Sequence, residues 1–388
     1  MSGTKRRVYL DHSATTPVDP RVVAAMVPCW TDVFGNPSSA HSWGQEAAVA
    51  LERARAEVAD RLGCQPAEIA FTASGTEADN LALRGAAWAA RQSGRGNHIV
   101  TNPGEHHAVT ATVEQLHGLF GFDVTQVAVD GHGRVDPDDI RRAIRRDTIL
   151  VSVMTASNEV GTVQPVAEIG ALCRERGVLF HTDAVQAAGR LDLNVGRLQV
   201  DLLALSAHKF YGPKGVGVLY VRRGVDLVAA LTGGGQEHGR RPGTVNVAGA
   251  VGLATALQIA EEMRAAENER LERLRDRLIE GVLAAVAEAR LTGHPVERLP
   301  HHASFAFRGV EGSSLVLALD LVGIAASSGA ACAEGEPQPA PVLAAMGYAP
   351  EWGVGAARFS LGRANDETDV AALLDALPAA VAQLRVGG

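Results

Sequence analysis

The sequence predicts an α/β protein, with a mostly parallel sheet covered by helices on both faces and a smaller α+β unit after it. Three observations predict it. Between residues 66 and 221, seven short apolar, β-branched runs alternate with helical segments, the pattern of strands joined by covering helices. The chain's 388 residues exceed the roughly 250 to 300 at which a single core stops growing. Beyond residue 247 an Ala/Leu/Glu/Arg-rich helical stretch leads into a second set of strands. The expected division is residues 15–260 for the large unit, and 1–14 with 261–388 for the small one.

The seven predicted strands are "EIAFTA", "HIVTN", "DVTQVAV", "ILVSVM", "VLFHTD", "DLLALSA" and "GVLYV". Between them lie helices such as "TEADNLALRGAAWAARQ" and "PVAEIGALCRERG", the second opening with Pro and closing with Gly as helices often do. Residues 247–290 carry helical periodicity and connect to the strands "ASFAFRG", "IAASSG" and "AARFSLG", with helices at 313–321 and 367–384. "AEGEPQPAP" reads as a loop.

Hydrophobic residues at 46% and charged residues at 21% give the balance of a soluble globular protein. A net charge of -8 argues against a nucleic-acid partner, which calls for a basic stripe. No apolar run approaches the ~20 residues needed to cross a bilayer, and "MSGTKRRVYLDHSATTP" has no apolar region of a secretion signal. The expectation is a cytoplasmic protein with no membrane partner. Cys29, Cys64, Cys173 and Cys332 form no CxxC pair, so neither a metal site nor a disulfide framework is expected.

In open α/β sheets ligands gather at the strand C-terminal ends, and there the sequence places Asp183, closing "VLFHTD", and Lys209, just after "DLLALSA". An amine nucleophile with a carboxylate for a protonated ring nitrogen is what pyridoxal 5'-phosphate needs in order to act as an electron sink. "FTASGTEADNLAL" runs from a strand through Gly75 and Thr76 into a helix, whose free N–H groups and positive end suit a phosphate ester. Cys332 lies in "SSGAACAEGEPQPAP", where glycines and prolines rule out a regular element. The other three cysteines sit among apolar helical neighbours and read as core.

Across nearly the whole chain, "VYLDHSATTP", "FGNPSSAH", "FTASGTEADN", "GEHHAV", "SNEVGTVQP", "HTDAVQAAG", "SAHKFYGPKGVG", "GGGQEHGRRPGT", "SSGAAC" and "RFSLGR" together resemble the cysteine desulfurases of the NifS/IscS type, within the class V aminotransferases. The resemblance implies the aspartate aminotransferase-like fold of pyridoxal phosphate-dependent transferases, and conversion of L-cysteine to L-alanine. It makes Lys209 the Schiff-base lysine and proton carrier, and His106 the ring-stacking histidine that helps proton transfer. Adjacent His107 is read as structural. Asp183 pairs with the pyridine nitrogen, while Gln186 and Asn158 serve the phenolic oxygen. Gly75, Thr76, Ser206 and His208 hold the phosphate, and Thr244 reaches it across a homodimer interface. Arg358 receives the substrate carboxylate with help from Asn36, whereas Arg363 is read as structural. Cys332 takes the sulfur as a persulfide and passes it to an acceptor protein, for iron–sulfur clusters or another thio-cofactor.

Three features depart from that pattern: "GAAC" where a serine commonly precedes Ala-Cys, "PAPVL" where "PSHVL" is common, and His238 where an arginine is usual. They bear on the cysteine loop and the choice of acceptor. A selenocysteine lyase or another class V enzyme is the alternative on the same fold, and Cys332 in its long loop argues against it.

Overall fold

The computed structural model describes residues 6–329 and 339–387. In chain order its strands are β1 (Val8–Tyr9), β2 (Ile69–Thr72), β3 (His98–Thr101), β4 (Asp123–Gln126), β5 (Thr148–Ser152), β6 (Leu179–Asp183), β7 (Leu202–Ser206), β8 (Gly217–Val221), β9 (Ala289–Leu291), β10 (His302–Phe307), β11 (Ile324–Ala325), β12 (Ser327–Ser328) and β13 (Ala356–Ser360). Seven of them form one sheet in the order β2-β8-β7-β6-β5-β3-β4. The pairs β3/β4, β3/β5, β5/β6 and β6/β7 are parallel, and β8 runs antiparallel to both of its neighbours. The exception has a simple cause. A parallel return needs a crossover of a dozen residues or more, and the turn after Ser206 is shorter than that.

β2, β3, β5, β6, β7 and β8 are buried along their whole length apart from half-buried Leu179, which is why the sequence shows continuous apolar runs there rather than alternation. The helix Gly75–Gln92 turns Ala78, Leu81, Ala82, Ala86 and Ala90 inward. A helix over Ser42–Leu62, which sequence inspection did not set, buries Ala47, Leu51, Ala54, Val58 and Leu62 and ends on Gly63 at φ 70°, a left-handed stop that glycine adopts without penalty.

The second sheet, β12-β13-β10-β9, is antiparallel throughout. The single expected strand "IAASSG" divides here: β11 pairs with β1, while β12 pairs with β13. The helix Val247–Ala285 runs unbroken through residue 260, where the sequence suggests a boundary. Its first half packs Leu253, Leu257 and Ala260 into the core of the seven-stranded sheet. Its second half packs Leu271, Leu274, Leu278 and Val282 with Phe305, Phe307 and Phe359. Among the described residues no helix is long and apolar enough to cross a membrane.

A buried ion pair ties down the glycine-rich segment after β8. Glu237 accepts from Arg55 Nη1 and Nη2 at 2.7 and 2.8 Å and from the Phe71 amide at 2.8 Å, and Arg55 also reaches the Ile69 carbonyl at 2.8 Å. Both side chains are almost wholly shielded from water. Arg55 Nε also meets the exposed carboxylate of Glu52 at 3.1 Å, so removing Glu237 leaves the buried guanidinium with that one solvated partner, at a cost of up to about 3 to 5 kcal/mol. Glu237→Gln is therefore expected to lower the unfolding free energy obtained from a urea titration by that amount, while Glu77→Gln, at a more exposed pair with Arg241, is expected to cost at most about 1 kcal/mol.

Candidate active site

The C-terminal ends of β2, β3, β5, β6 and β7 converge on a cavity of ≈ 230 Å³. Gly75 and Thr76 line it from the start of their helix, His106 from the turn after β3, and Asn158 from the turn after β5. Asp183, Gln186, Ser206, His208 and Lys209 line it as well. The helix opens on Ser74, whose hydroxyl accepts the Glu77 amide at 3.1 Å. Among the described residues nothing takes the Gly75 and Thr76 amides, so both remain as donors at a positive helix end. A Cβ on Gly75 would lie 2.8 Å from Val185 Cγ2 and 3.2 Å from Ser206 Cβ; only glycine lets the helix start lie so close to β6 and β7.

Lys209 Nζ donates to the carbonyls of Ser13 at 2.6 Å and Ala14 at 2.8 Å. Gln186 Nε2 donates to the same Ser13 carbonyl at 2.9 Å. Burial, helped by nearby Arg358 and opposed by Asp183 and Asp11, draws the Lys209 ammonium down to about 8. Burial likewise pushes the Asp183 carboxyl up, with His106 and Lys209 pulling it back. His106 accepts the Ala108 amide on Nδ1 at 3.1 Å, which puts the neutral ring's proton on Nε2. Burial lowers its pKa, against the pull of Asp183. His208 contacts Thr15 Oγ1 through Nδ1 at 3.1 Å and is drawn down to about 4 by burial and by Lys209; it is neutral at physiological pH.

Arg358, on β13, approaches from the second sheet. Its Nη2 meets Asp11 Oδ1 at 2.8 Å and its Nη1 donates to the Asn158 carbonyl at 2.8 Å. Buried His302 shares that carbonyl through Nε2 at 3.1 Å. A second cavity of ≈ 150 Å³ lies between Arg358, Asn158, Glu159 and His107 on one side and Ser328, Gly329, Ala340 and Pro341 on the other.

A family model for aminotransferase class V matches residues 8–373. The chain belongs to that family. It is 46% identical over 382 residues to the cysteine desulfurase IscS of Clostridium botulinum, covering 98% of this chain and 96% of the relative. Against the cysteine desulfurase IscS of Methanosarcina thermophila the identity is 48% over 385 residues, covering 99% and 94%. A solved NifS-like protein superposes with a TM-score of 0.90 at 38% identity, covering 97% of this chain and all (100%) of that one. A structure of SspA in complex with cysteine has a TM-score of 0.80 at 34% identity, covering 91% and 98%. The fold is thus that of the NifS-like pyridoxal phosphate enzymes.

Twelve of the expected site residues lie in the described chain: Gly75, Thr76, His106, Asn158, Asp183, Gln186, Ser206, His208 and Lys209 line the first cavity, Arg358 lines the second, and Thr244 and Asn36 line neither. Thr244 is exposed. Asn36 is also exposed and caps the Ser38 amide at 2.9 Å. Cys332 lies outside the described residues. Arg363 donates to Asp19 at 3.0 Å and stacks 4.0 Å over Tyr211. Cys173 is buried, and Cys29 and Cys64 pack half-buried against the core; burial pushes the Cys64 and Cys173 thiols up to about 12.

Sequence reasoning missed Asp79, which lines the first cavity one helical turn after Gly75. Its carboxylate lies 3.3 Å from His181 Nε2, and burial raises it well above the usual range. The signal for it was an acidic residue on the helix's otherwise apolar inward face. The tethers Ser13 and Ala14 act through backbone carbonyls, which leave no side-chain signature.

The donor set fits pyridoxal phosphate: an amine and a carboxylate inside one cavity, and two amides at a glycine-only helix start. Gly75→Ala is expected to weaken cofactor binding at least 10-fold in a fluorescence titration while the fold is kept. The free amine of Lys209, not its ammonium, attacks an aldehyde or an arylating reagent. Its labelling rate in the apo-protein is therefore expected to rise with pH through a midpoint near 8, about two units below an ordinary lysine.

Proposed function

We propose that this chain is a cysteine desulfurase, converting L-cysteine to L-alanine and passing the sulfur through a persulfide on Cys332 to an acceptor protein. The observation that carries this reading is the second cavity. It is walled by Arg358 and by the residues that flank the Cys332 segment on both sides, Ser328–Gly329 and Ala340–Pro341, next to a cavity that holds an amine and a carboxylate. Full-length similarity to proteins named cysteine desulfurase supports it.

Bound pyridoxal phosphate supplies an aldehyde for amines and a ring that accepts electrons. The chain's own residues do the rest. Lys209 would bond the cofactor and then carry the proton at the substrate's Cα. Asp183 would hold the ring nitrogen protonated, Gln186 and Asn158 would orient the phenolic oxygen, and His106 would lie against the ring. Gly75, Thr76, Ser206 and His208 would bind the phosphate. Arg358, steadied by Asp11 and the Asn158 carbonyl, would take the substrate carboxylate with two parallel hydrogen bonds. Asn36 lies outside both cavities and would join only if its loop approached.

Thr244 belongs to this reading through a homodimer, reaching the partner's phosphate site. Exposed Trp30, Phe34, Trp43 and Leu231 supply apolar surface for such an interface. The division into a large unit, 15–260, and a small one, 1–14 with 261–388, is part of the same proposal, as is a cytoplasmic setting with an acceptor that serves iron–sulfur cluster or thio-cofactor assembly.

Cys332→Ser tests the sulfur step, because a hydroxyl forms no persulfide. The variant is expected to bind cofactor normally and to lose alanine formation from L-cysteine by orders of magnitude. Mass spectrometry of the wild type alone is expected to show one added sulfur on the Cys332 peptide. Alanine and sulfide formed by the variant at the wild-type rate would contradict the assignment, and turnover of selenocysteine alone would favour a lyase.

A further inference from the structure

His107 lies outside every role given so far, yet it lines the second cavity with Glu159 and Arg358. A substrate with its carboxylate on Arg358 and its nitrogen toward Lys209 has this cavity for its side chain. Lys209 and His106 line the first cavity and not this one. Among the described residues lining the second, His107 and Glu159 are the side chains that can serve as general acid or base. Oε2 of Glu159 is buried with no hydrogen-bond partner among the described residues. Burial raises this carboxyl, and Arg358 and then His107 draw it back; the imidazole and the carboxylate line the same cavity. An imidazole backed by a carboxylate is a common arrangement for holding a proton ready for transfer.

Resting on the desulfurase reading above, we propose that His107 is a catalytic residue that delivers a proton to Cβ of the substrate, with Glu159 as the positioning residue that balances its imidazolium. The step is balanced. An acceptor thiolate bonds to the substrate sulfur, the Cβ–S bond breaks with its electron pair on carbon, and an imidazolium proton passes to that carbon to make the methyl group of alanine. The imidazolium becomes imidazole, and no oxidant or reductant is consumed. Without the proton donor, slow protonation by water followed by hydrolysis would release the three-carbon fragment as pyruvate and leave its amino group on the cofactor, at most one pyruvate per site before the aldehyde is restored.

The experiment uses the full-length holoenzyme with L-cysteine and a thiol reductant, and measures alanine and pyruvate together. His107→Gln, at an exposed position, is expected to keep the wild-type melting temperature and cofactor absorbance. It is expected to slow alanine formation roughly 100-fold, the usual scale of a general acid, and to raise the pyruvate share severalfold. His107→Lys, which restores a proton donor, is expected to recover part of the alanine rate and to lower the pyruvate share again. A His107→Gln enzyme with the wild-type rate, or one that is slower with an unchanged alanine-to-pyruvate ratio, would overturn the proposal while leaving the desulfurase reading intact. A wild type that makes no alanine from L-cysteine would overturn that reading and this proposal together.

Discussion

The Lys209 ammonium is taken out of water at the end of β7, and a buried cation must find acceptors or give up its proton. It finds two backbone carbonyls, those of Ser13 and Ala14. That choice fixes much else. The Ser13 carbonyl also receives Gln186, and the Ser13 amide donates to Ser360 Oγ at 2.8 Å. Thr16 is bound to the His208 carbonyl through both its amide and its hydroxyl, each at 2.9 Å. The segment after β1 therefore clips the seven-stranded sheet to β13 of the second sheet. Arg358 sits two residues before Ser360 on that strand, so the same clip sets the separation between the amine and the guanidinium.

Around this clip the protein concentrates groups whose neutral forms burial favours. Glu105 is pushed up to about 8 by burial, although it accepts from Asn102 and from the Met154 amide. Asp79 and Asp183 are raised as well. His12 and His208 are drawn down to about 4. Three carboxyls this near to one another cannot all be ionised without mutual repulsion, and a cation placed opposite Asp183 favours ionisation there. A protonated ring nitrogen is such a cation. The glycine-only helix start that lines the same cavity offers positive potential for a phosphate, so the cavity holds a partner for the ring nitrogen and one for the phosphate of pyridoxal phosphate.

Six of the sheet's strands were legible because they are buried on both faces and carry largely apolar runs, whereas β4 is an exposed to half-buried edge. Six of the seven runs quoted from the sequence contain their observed strands, and the seventh, "ILVSVM", starts one residue after β5 does, at Ile149 rather than Thr148. The antiparallel course of β8 was not read, since direction is set by the length of the preceding turn and not by apolar character. The helix Ser42–Leu62 was overlooked because Arg, Glu and Ala dilute its inward stripe of Ala47, Leu51, Ala54, Val58 and Leu62. Nine cofactor-site residues named from motifs line one cavity, because each motif sits at a strand end where topology gathers it. Thr244 and Asn36 lie in exposed segments whose surroundings a single chain does not supply. His107 was read as structural because a histidine beside a better candidate carries no separate signal; only the second cavity distinguishes the two rings.

The central claim is that Lys209 is the amine that bonds the cofactor. The chain has three lysines, Lys5, Lys209 and Lys214, so the claim has few competitors. Lys214 is exposed in the turn before β8 and lines neither cavity. Borohydride reduction of the protein loaded with one equivalent of pyridoxal phosphate, followed by peptide mapping, tests it most directly. The account predicts a single pyridoxyl group on Lys209, whereas a label on Lys214 or Lys5 with Lys209 unmodified would contradict it.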